Sequence, residues 1–399
     1  MVACCALSGR RPTPCGRTRS APAPLPRPCV PAAGRSGPGH RLVSSCRRRP
    51  GPFVAACAGM GDGLRPGPQA RARMPSARGR GSSPMAAPIV LFDAATDESF
   101  DEAAYLRANA DVQQAVARGD FDSGRQHFEA FGRHEGRRQR HLHDLSALRA
   151  AKLDRLRPHL RLDLPHETRD GKYDFLTSEL RAETRIVETE NVSENAYDAP
   201  MQRLVEKHRD GLVLDCGAGR RPVYYPNVVN YEIVDYPTTD ILGVGEVLPF
   251  RDDSFDAIFS VAVLEHVRDP FRCAAEIARV LKPGGDLFCA VPFLQPLHGY
   301  PHHYFNATHQ GIRRLFEDRL EVRDVTVFPS THPVIALHWM LGSYAQGLAG
   351  RTREEFLAMR VADFLQPWEA MVEQPFATEL PMDKQLELAC ATVLTATKR

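Results

Sequence analysis

The sequence predicts an α/β fold in which a mostly parallel sheet carries helices on both faces. From residue 211 onwards apolar runs alternate with helical patterns, and a glycine turn follows the first run. We expect four parts: a disordered segment at 1–84, a small helical module at 85–140, a helical linker at 141–190 and the α/β domain at 191–399.

The first 84 residues differ in composition from the rest of the chain. They contain fifteen arginines, no lysine, one acidic residue and fourteen prolines, a net charge of +14. Without apolar periodicity such a segment buries too little surface to offset its chain entropy, which predicts disorder. A transit peptide or a basic arm for RNA also fits this composition. The abrupt change in residue usage favours a third interpretation, that translation starts at Met85 and the upstream stretch is non-coding sequence.

The remaining 315 residues carry 36 basic and 48 acidic side chains. This acidic balance argues against a nucleic-acid partner, which requires a basic surface. No apolar run approaches the ~20 residues of a membrane-spanning helix. Four cysteines follow residue 84 without metal-ligand spacing, and we expect buried thiols in a reducing, cytoplasmic compartment. They are Cys216, Cys273, Cys289 and Cys390.

Apolar spacing predicts a helix over Phe100–Ala117 and a second one after Gly119, with Gly132 and Gly136 as stops. The stretch Tyr105–Arg137 resembles a short helical module attached to bacterial cell-surface and sugar-handling proteins. A helical pair that packs its aromatic side chains against a neighbour is the simpler interpretation. The charged stretch that follows has a helical pattern and ends at Pro165, which predicts a linker.

Within the α/β part, a helix is expected to begin at Asp269-Pro270 and to end at Gly284-Gly285, and a short one to span Thr308–Phe316. Ligands of such sheets bind beyond the carboxyl ends of the strands. Apolar runs predict strands at Leu212–Asp215, Asn227–Val234, Asp256–Leu264, Asp286–Val291, Glu321–Phe328 and Leu386–Thr397.

The glycine turn, DCGAG, follows the first of these strands. Gly217 and Gly219 allow the backbone to approach a ligand closely. A dinucleotide site favours a third glycine where Pro222 stands, and the Gly-Lys-Ser/Thr of a phosphate-binding loop is absent. The turn therefore suits a nucleoside ligand without a diphosphate, although a plain structural turn gives the same pattern.

Glu232 ends the second strand, where a carboxylate can accept hydrogen bonds from both hydroxyls of a ribose. Asp235 is the competing candidate. Twelve residues, with Pro222 and Pro226 among them, separate Gly219 from Glu232. They leave no room for a full crossover helix, so this connection is predicted to be abbreviated.

The stretch Leu212–Val291 resembles the core of class I S-adenosylmethionine-dependent methyltransferases, in the group called methyltransferase type 11. The resemblance implies a Rossmann-like sheet and S-adenosylmethionine as cofactor, and with looser strands it extends over 190–399. The motifs that carry it are LDCGAG (Leu214–Gly219), YEIVD (Tyr231–Asp235), GEVLPFRDDSFDAIFSVAVLEHV (Gly245–Val267) and RVLKPGG (Arg279–Gly285).

The resemblance also implies contacts with the cofactor. The family often has an aspartate that contacts the adenine amine where this chain has Val244, so adenine recognition must fall to backbone groups or to Glu246. The implied cofactor residues are Asp215, Gly217 and Gly219 against the methionine and ribose, Glu232 at the ribose hydroxyls, Gly245 and Glu246 beside the adenine, and Ser260 under the sulfonium.

Methyl transfer from a sulfonium is an in-line displacement, in which alignment of donor and acceptor is worth roughly 7–11 kcal/mol. A base would assist an acceptor that loses a proton. His266 follows the third strand, while His298, His302 and His303 lie in the stretch Phe293–Gly311, which faces the acceptor in this fold. We expect His266, His302 or His303 to act as the base, although structural or pocket-lining roles fit equally. The spacing of these histidines matches no recognisable metal site, so no metal is predicted.

The stretch 330–385 is an insertion whose Trp339, Met340, Trp368 and Met371 belong to a core or to a lid over the acceptor. The sequence thus predicts a cytoplasmic methyltransferase that acts on a small molecule, a sugar or a lipid-linked glycan, the glycan resting on the helical module alone. A catalytically silent cofactor-binding sensor or partner subunit is the alternative, and a dinucleotide-dependent oxidoreductase a third. The acceptor atom and the oligomeric state are not indicated.

Overall fold

The structure is a computed structural model that describes residues 86–186, 194–299 and 302–398. The predicted disorder of the first 84 residues and the predicted start at Met85 lie outside these ranges. Among the described residues, no helix combines the length and the apolar character needed to cross a membrane.

The described strands form one large sheet and two short pairs. The strands are β1 (Ile89–Val90), β2 (Phe92–Ala94), β3 (Arg138–Arg140), β4 (Glu167–Arg169), β5 (Lys172–Asp174), β6 (Val213–Cys216), β7 (Val223–Tyr224), β8 (Val228–Glu232), β9 (Ile241–Leu242), β10 (Phe255–Val261) and β11 (Leu281–Ala290). Seven of them form the large sheet, in the order β11-β10-β6-β8-β9-β5-β4. All neighbours in it are parallel except β4 and β5.

Helices precede, interrupt and follow this sheet. They are α1 (Glu102–Ala108), α2 (Ala110–Ala117), α3 (Gly124–His127), α4 (Arg133–Glu135), α5 (Ser146–Leu156), α6 (Ser178–Thr184), α7 (Ala199–Lys207), α8 (Pro270–Val280), α9 (His309–Phe316), α10 (Pro333–Gly347), α11 (Gly350–Ala358), α12 (Trp368–Met371), α13 (Pro375–Thr378) and α14 (Met382–Leu388).

The central strands confirm the predicted α/β architecture. In β6, Val213 and Leu214 are completely buried, and the strand lies between β8 and β10, as expected for a strand covered on both faces. Asp269 caps α8 by accepting a hydrogen bond from the Arg272 N–H, as predicted. The predicted helix at Thr308–Phe316 is α9, and Thr308 caps it in the same way. The carboxyl ends of β6, β8, β10 and β11 therefore meet at one edge of the sheet.

The last two predicted strands are wrong. Residues 321–328 have no regular structure, and the stretch that begins at Leu386 is helical to the end of α14 and irregular beyond it. Alternating apolar residues form a strand only where a neighbouring strand completes their hydrogen bonds, and here Val327, Val393 and Leu394 are exposed.

Two smaller predictions also need correction. Helix α8 ends at Val280 rather than at Gly284-Gly285, because β11 begins immediately and pairs Leu281 with Phe255. The expected burial of the four cysteines holds for Cys216 and Cys273. The other two differ from the expectation, since Cys289 is half-buried and Cys390 is exposed.

The described part of the segment 141–190, for which a helical linker was expected, contributes strands to the main sheet and leucines to its core. Strand β5 extends the sheet by pairing in parallel with β9, and β4 adds an antiparallel edge. On α5 and just beyond it, Leu153, Leu156 and Leu160 pack into the largest apolar cluster, with Leu214 and Ile258 of the central strands. The charged residues of this stretch favoured a linker, although its apolar positions already marked a buried face.

The helices predicted in the N-terminal module are present, with two differences, and the short strands β1, β2 and β3 flank them. The first helix is broken at Asn109, whose side-chain amide donates to the carbonyl oxygens of Tyr105 and Arg138. Gly132 does not end the second helix, which continues to Gly136 at φ +63°. A side chain at Gly132 would collide with the Tyr105 ring, so this glycine allows close packing rather than a stop.

The connection between β6 and β8 contains no helix, which confirms the predicted abbreviation. Its middle, β7, pairs with β1 from the N-terminal part of the chain. Tyr224 of β7 is buried against Leu91 and Leu145. N-terminal residues thus cover the place that a crossover helix usually fills.

The stretch 330–385 forms several helices around a core of its own, made by Ala345, Leu348, Phe356 and Leu380. The aromatic residue Trp368, for which a core or a lid was expected, is 65% exposed. A backbone hydrogen bond from Leu297 to the carbonyl of Glu387 joins the end of this region to the loop after β11.

A buried ion pair holds α5 to the sheet. Lys152 Nζ lies 2.8 Å from Oδ2 of Asp240, and both side chains are fully buried. The Tyr224 hydroxyl donates to the same carboxylate, and the Asn230 N–H donates to it at 2.9 Å. The pair joins α5, β7 and the residue before β9.

We predict that Asp240→Asn lowers the free energy of unfolding by about 3–5 kcal/mol, because it leaves the Lys152 ammonium buried without a counter-charge. The measurement is urea denaturation followed by circular dichroism. Glu355→Gln is the matched control, since its ion pair with Arg351 is exposed to solvent and should leave the unfolding midpoint almost unchanged. Equal effects of the two substitutions would contradict this role of the buried pair.

Candidate functional site

The glycine turn adopts the conformation that its sequence predicts. Gly217 and Gly219 have φ of +82° and +62°, values that favour glycine. A Cβ on Gly217 would lie 2.9 Å from Cγ1 of Val263 and closer still to Cγ2. Because Val263 follows β10, this absence of a side chain lets the loops after β6 and β10 pack directly on each other.

Asp215, at the start of the turn, is fully buried and already has protein partners. Its Oδ2 accepts hydrogen bonds from the Tyr197 hydroxyl at 2.6 Å and from Nε of Arg221 at 2.7 Å, and its Oδ1 accepts from Arg221 Nη2 at 3.1 Å. The guanidinium also lies 4.6 Å from the centre of the Tyr197 ring. These contacts tie the carboxylate at the end of β6 to the connection after it and to the segment before α7, and its predicted contact with the cofactor stays a prediction.

Glu232 is brought to the turn at the carboxyl end of β8. Its Oε2 accepts the Gly219 N–H at 2.6 Å, and its Oε1 accepts the N–H of Ile233 at 2.8 Å. Burial raises the pKa of this carboxyl, while the backbone donors act in the opposite direction. The competing Asp235 is half exposed and forms an ion pair with Lys172, away from the glycines.

The remaining predicted cofactor residues lie along the same edge. A side chain at Gly245 would collide with Sγ of Cys273, so the backbone packs closely on α8 there. Glu246 is buried, and its Oε1 accepts the Arg268 N–H at 3.0 Å. Ser260 is fully buried near the end of β10, opposite Cys289 of β11.

The loops after β10 and β11 bring several histidines together. The ring of His266 lies 5.4 Å from that of His298 and 5.6 Å from that of His303, and the last two rings are 4.4 Å apart. Gly299, at φ +77°, allows this approach, since a Cβ there would lie 2.9 Å from Nε2 of His266.

The three predicted bases differ in their surroundings. His266 Nδ1 donates to the His302 carbonyl at 2.6 Å, and burial lowers its pKa to about 4, so the ring is neutral near pH 7 with its lone pair on Nε2. Both ring nitrogens of His303 are engaged, Nδ1 by the His298 N–H and Nε2 by Asn306. His302 bonds the Arg185 carbonyl at 3.1 Å.

Glu265 was not among the residues predicted for the site. Its side chain is fully buried, and neither carboxylate oxygen has a hydrogen-bond partner among the described residues. Burial raises its pKa to about 8. The sequence did contain a signal, because Glu265 is an acidic residue directly after a predicted buried strand, at the ligand edge of the sheet. The candidate base was instead assigned to the neighbouring His266. Arg221 and Tyr197 were not predicted either, because only the folded chain brings them into contact with Asp215.

We predict that Gly217→Ala lowers the free energy of unfolding by about 1–3 kcal/mol, since the new side chain combines an unfavourable φ with a collision. Gly342→Ala is the matched control: it lies within α10 with open space around it, and should be neutral or stabilising by up to about 1 kcal/mol. Denaturant titration of both variants tests this. Equal stability of the two would show that the turn tolerates a side chain.

Known proteins that are similar to this chain are methyltransferases. The family described as "Methyltransferase domain" matches residues 225–289. The chain is 39% identical over 66 residues to cycloartenol-C-24-methyltransferase 1 of Oryza sativa subsp. japonica, a match covering 16% of this chain and 18% of that protein. It is 44% identical over 59 residues to demethylmenaquinone methyltransferase of Renibacterium salmoninarum, covering 15% and 24%. An uncharacterized methyltransferase of Mycobacterium bovis is 38% identical over 86 residues, covering 21% and 32%. The chain thus spans between about a fifth and a third of the length of these relatives.

Solved structures are similar at low identity. A methyltransferase of Thermotoga maritima, described as a possible histamine N-methyltransferase, has 18% identity and a TM-score of 0.22, covering 30% of this chain and 75% of its own. The YcgJ protein of Bacillus subtilis has 18% identity and a TM-score of 0.26, covering 39% and 87%. Residues 225–289 therefore match a methyltransferase domain, and the mostly parallel strand order is that of a Rossmann-like sheet.

Proposed function

We propose that this chain is an enzyme that transfers the methyl group of S-adenosylmethionine to a small acceptor molecule bound beside the loops after β10 and β11. The observation that carries the proposal is the convergence of the glycine turn and Glu232 at one edge of the sheet, where the Gly219 N–H and the carboxylate meet at 2.6 Å. Nucleoside ligands of parallel sheets bind at such an edge.

The residues of this edge fit the cofactor in part. Glu232 presents a half-buried carboxylate, which can accept hydrogen bonds from ribose hydroxyls, and Gly217 and Gly219 adopt the positive φ values of a tight turn beside it. We propose Gly245 and Glu246 as neighbours of the adenine and Ser260 as the residue nearest the sulfonium. Asp215 acts as a positioning residue, since Arg221 and Tyr197 occupy its oxygens.

When bound, S-adenosylmethionine supplies an electrophilic methyl carbon. The bond from that carbon to sulfur breaks as the bond to the acceptor forms, and the electron pair remains on sulfur. An acceptor hydroxyl or amine also loses a proton. We propose that this proton leaves at His266, because the nitrogens of His303 are engaged and His302 bonds a distant backbone carbonyl.

The surface near the cluster suggests the class of acceptor. Phe293, Leu294, Leu297 and Phe305 expose about half of their surfaces along the loop after β11. Two relatives are named for cycloartenol and for demethylmenaquinone. We therefore propose an acceptor with an apolar body and an ionisable group, a lipid or a lipid-linked glycan rather than a free sugar.

We predict that Glu232→Gln weakens the binding of S-adenosylhomocysteine about 10-fold or more, because it removes the charged acceptor for the ribose hydroxyls. Isothermal titration calorimetry measures the change. Asp235→Asn is the control and should bind with unchanged affinity. A loss confined to Asp235→Asn would reassign the ribose contact, and binding of NAD alone would favour an oxidoreductase.

We predict that His266→Ala lowers kcat at least ~10²-fold, measured by labelled methyl transfer into lipid and water-soluble fractions of a cell extract. Binding of S-adenosylhomocysteine should persist, which separates catalysis from folding. His338→Ala, at an exposed position of α10, should leave the rate unchanged. Tight cofactor binding without transfer into any fraction would favour the catalytically silent alternative.

A further inference from the structure

Three potential ligand atoms converge from the two loops. Nε2 of His266 lies 3.7 Å and Nε2 of His298 lies 3.9 Å from Oε1 of Glu265. One ligand atom from each of the three residues lies within 4.8 Å of the other two. Because His298 stands 32 positions beyond His266, no spacing in the sequence indicated this group.

Both histidines are held in the form that binds a metal ion. His266 Nδ1 bonds the His302 carbonyl at 2.6 Å, and His298 Nδ1 bonds the Pro296 carbonyl at 3.0 Å. A carbonyl oxygen only accepts hydrogen bonds, so each Nδ1 carries the proton and each Nε2 carries the lone pair. Such bonds at the second nitrogen commonly orient metal-binding histidines.

Glu265 provides an independent observation. Its carboxylate is fully buried, and neither oxygen has a partner in the part of the chain that the structure describes. Burial of an ionised carboxylate without a counter-charge is strongly unfavourable, so this carboxyl either keeps its proton or takes a bound cation. The two imidazole lone pairs nearby cannot satisfy the ionised carboxylate, because they are acceptors as well.

We propose that Glu265, His266 and His298 bind a divalent zinc-type metal ion through one carboxylate oxygen and two imidazole Nε2 atoms. Two histidines and a glutamate form a known ligand set of catalytic zinc, whereas Mg²⁺ and Ca²⁺ favour oxygen ligands. Tetrahedral ligands at ~2.1 Å from zinc are about 3.4 Å apart. The 3.7 and 3.9 Å separations from Oε1 therefore require shifts of a few tenths of an ångström, whereas the two imidazole nitrogens, within 4.8 Å of each other, have up to ~1.4 Å to close.

Three protein ligands leave one position for water or for an acceptor oxygen. A hydroxyl bound there would release its proton to solvent near neutral pH, so the metal would take over the role that the free His266 imidazole has in the metal-free protein. The site lies beside the cofactor turn, since Val263, two residues before Glu265, packs on Gly217. This role of the metal rests on the proposed function, whereas binding of the metal does not.

The test is metal binding to the full chain after treatment with EDTA. We expect one equivalent of Zn²⁺ by calorimetry, and Co²⁺ absorption bands typical of a tetrahedral site. Glu265→Gln and His298→Ala should each weaken Zn²⁺ binding at least ~10²-fold. His338→Ala is the control, because it removes an exposed histidine of α10 outside the cluster, and it should keep the affinity unchanged.

Failure to bind one equivalent of Zn²⁺, or unchanged affinity in both cluster variants, would overturn the proposal. Circular dichroism and thermal melting of the metal-free variants establish that they fold. If Glu265→Gln does not fold, His298→Ala still tests the proposal, because His298 lies at a half-buried loop position. Binding of S-adenosylhomocysteine to the metal-free protein tests the proposed function separately. Stoichiometric Zn²⁺ without cofactor binding would support the metal site and reject the methyltransferase.

Discussion

The buried ion pair between Asp215 and Arg221 fixes the geometry on which the candidate site depends. It joins the end of β6 to the abbreviated connection. The Tyr197 hydroxyl, in the segment before α7, donates a hydrogen bond to the same carboxylate. Two buried charges are tolerable when each satisfies the other, and removal of either would leave an uncompensated charge. This constraint holds the glycine turn in place, so that Glu232 can reach the Gly219 N–H.

Because the connection after β6 is short and contains no helix, other parts of the chain must cover the sheet. Without a crossover helix, the sheet is covered by residues from the N-terminal part: β1 pairs with β7, and α5 packs its leucines into the main core. Lys152 and Asp240 add a buried ion pair across this contact. The N-terminal residues are therefore part of the architecture that carries the site, rather than a module tethered by a linker.

The electrostatics around Glu265 differ from those around Asp215. Glu265 is a buried carboxylate without a hydrogen-bond partner among the described residues, and the imidazoles near it have pKa values lowered by burial and offer only lone pairs. Such an arrangement is unfavourable by itself and becomes favourable with a cation or a protonated partner. Unfavourable local electrostatics of this kind are frequent at functional sites.

The sequence alone determined the central strands, the cap of α8, the presence of α9, the glycine turn and the abbreviated connection, because each depends on residues close together in the chain. The tertiary structure decided which groups meet across the chain. Arg221 engages Asp215, Glu265 meets His298, and 321–328 fails to become a strand because no neighbour among the described residues completes its hydrogen bonds. The spacing of apolar residues and the capping residues indicate only local conformation. The partner of a buried charge or of a strand edge is decided only when distant segments of the chain pack together.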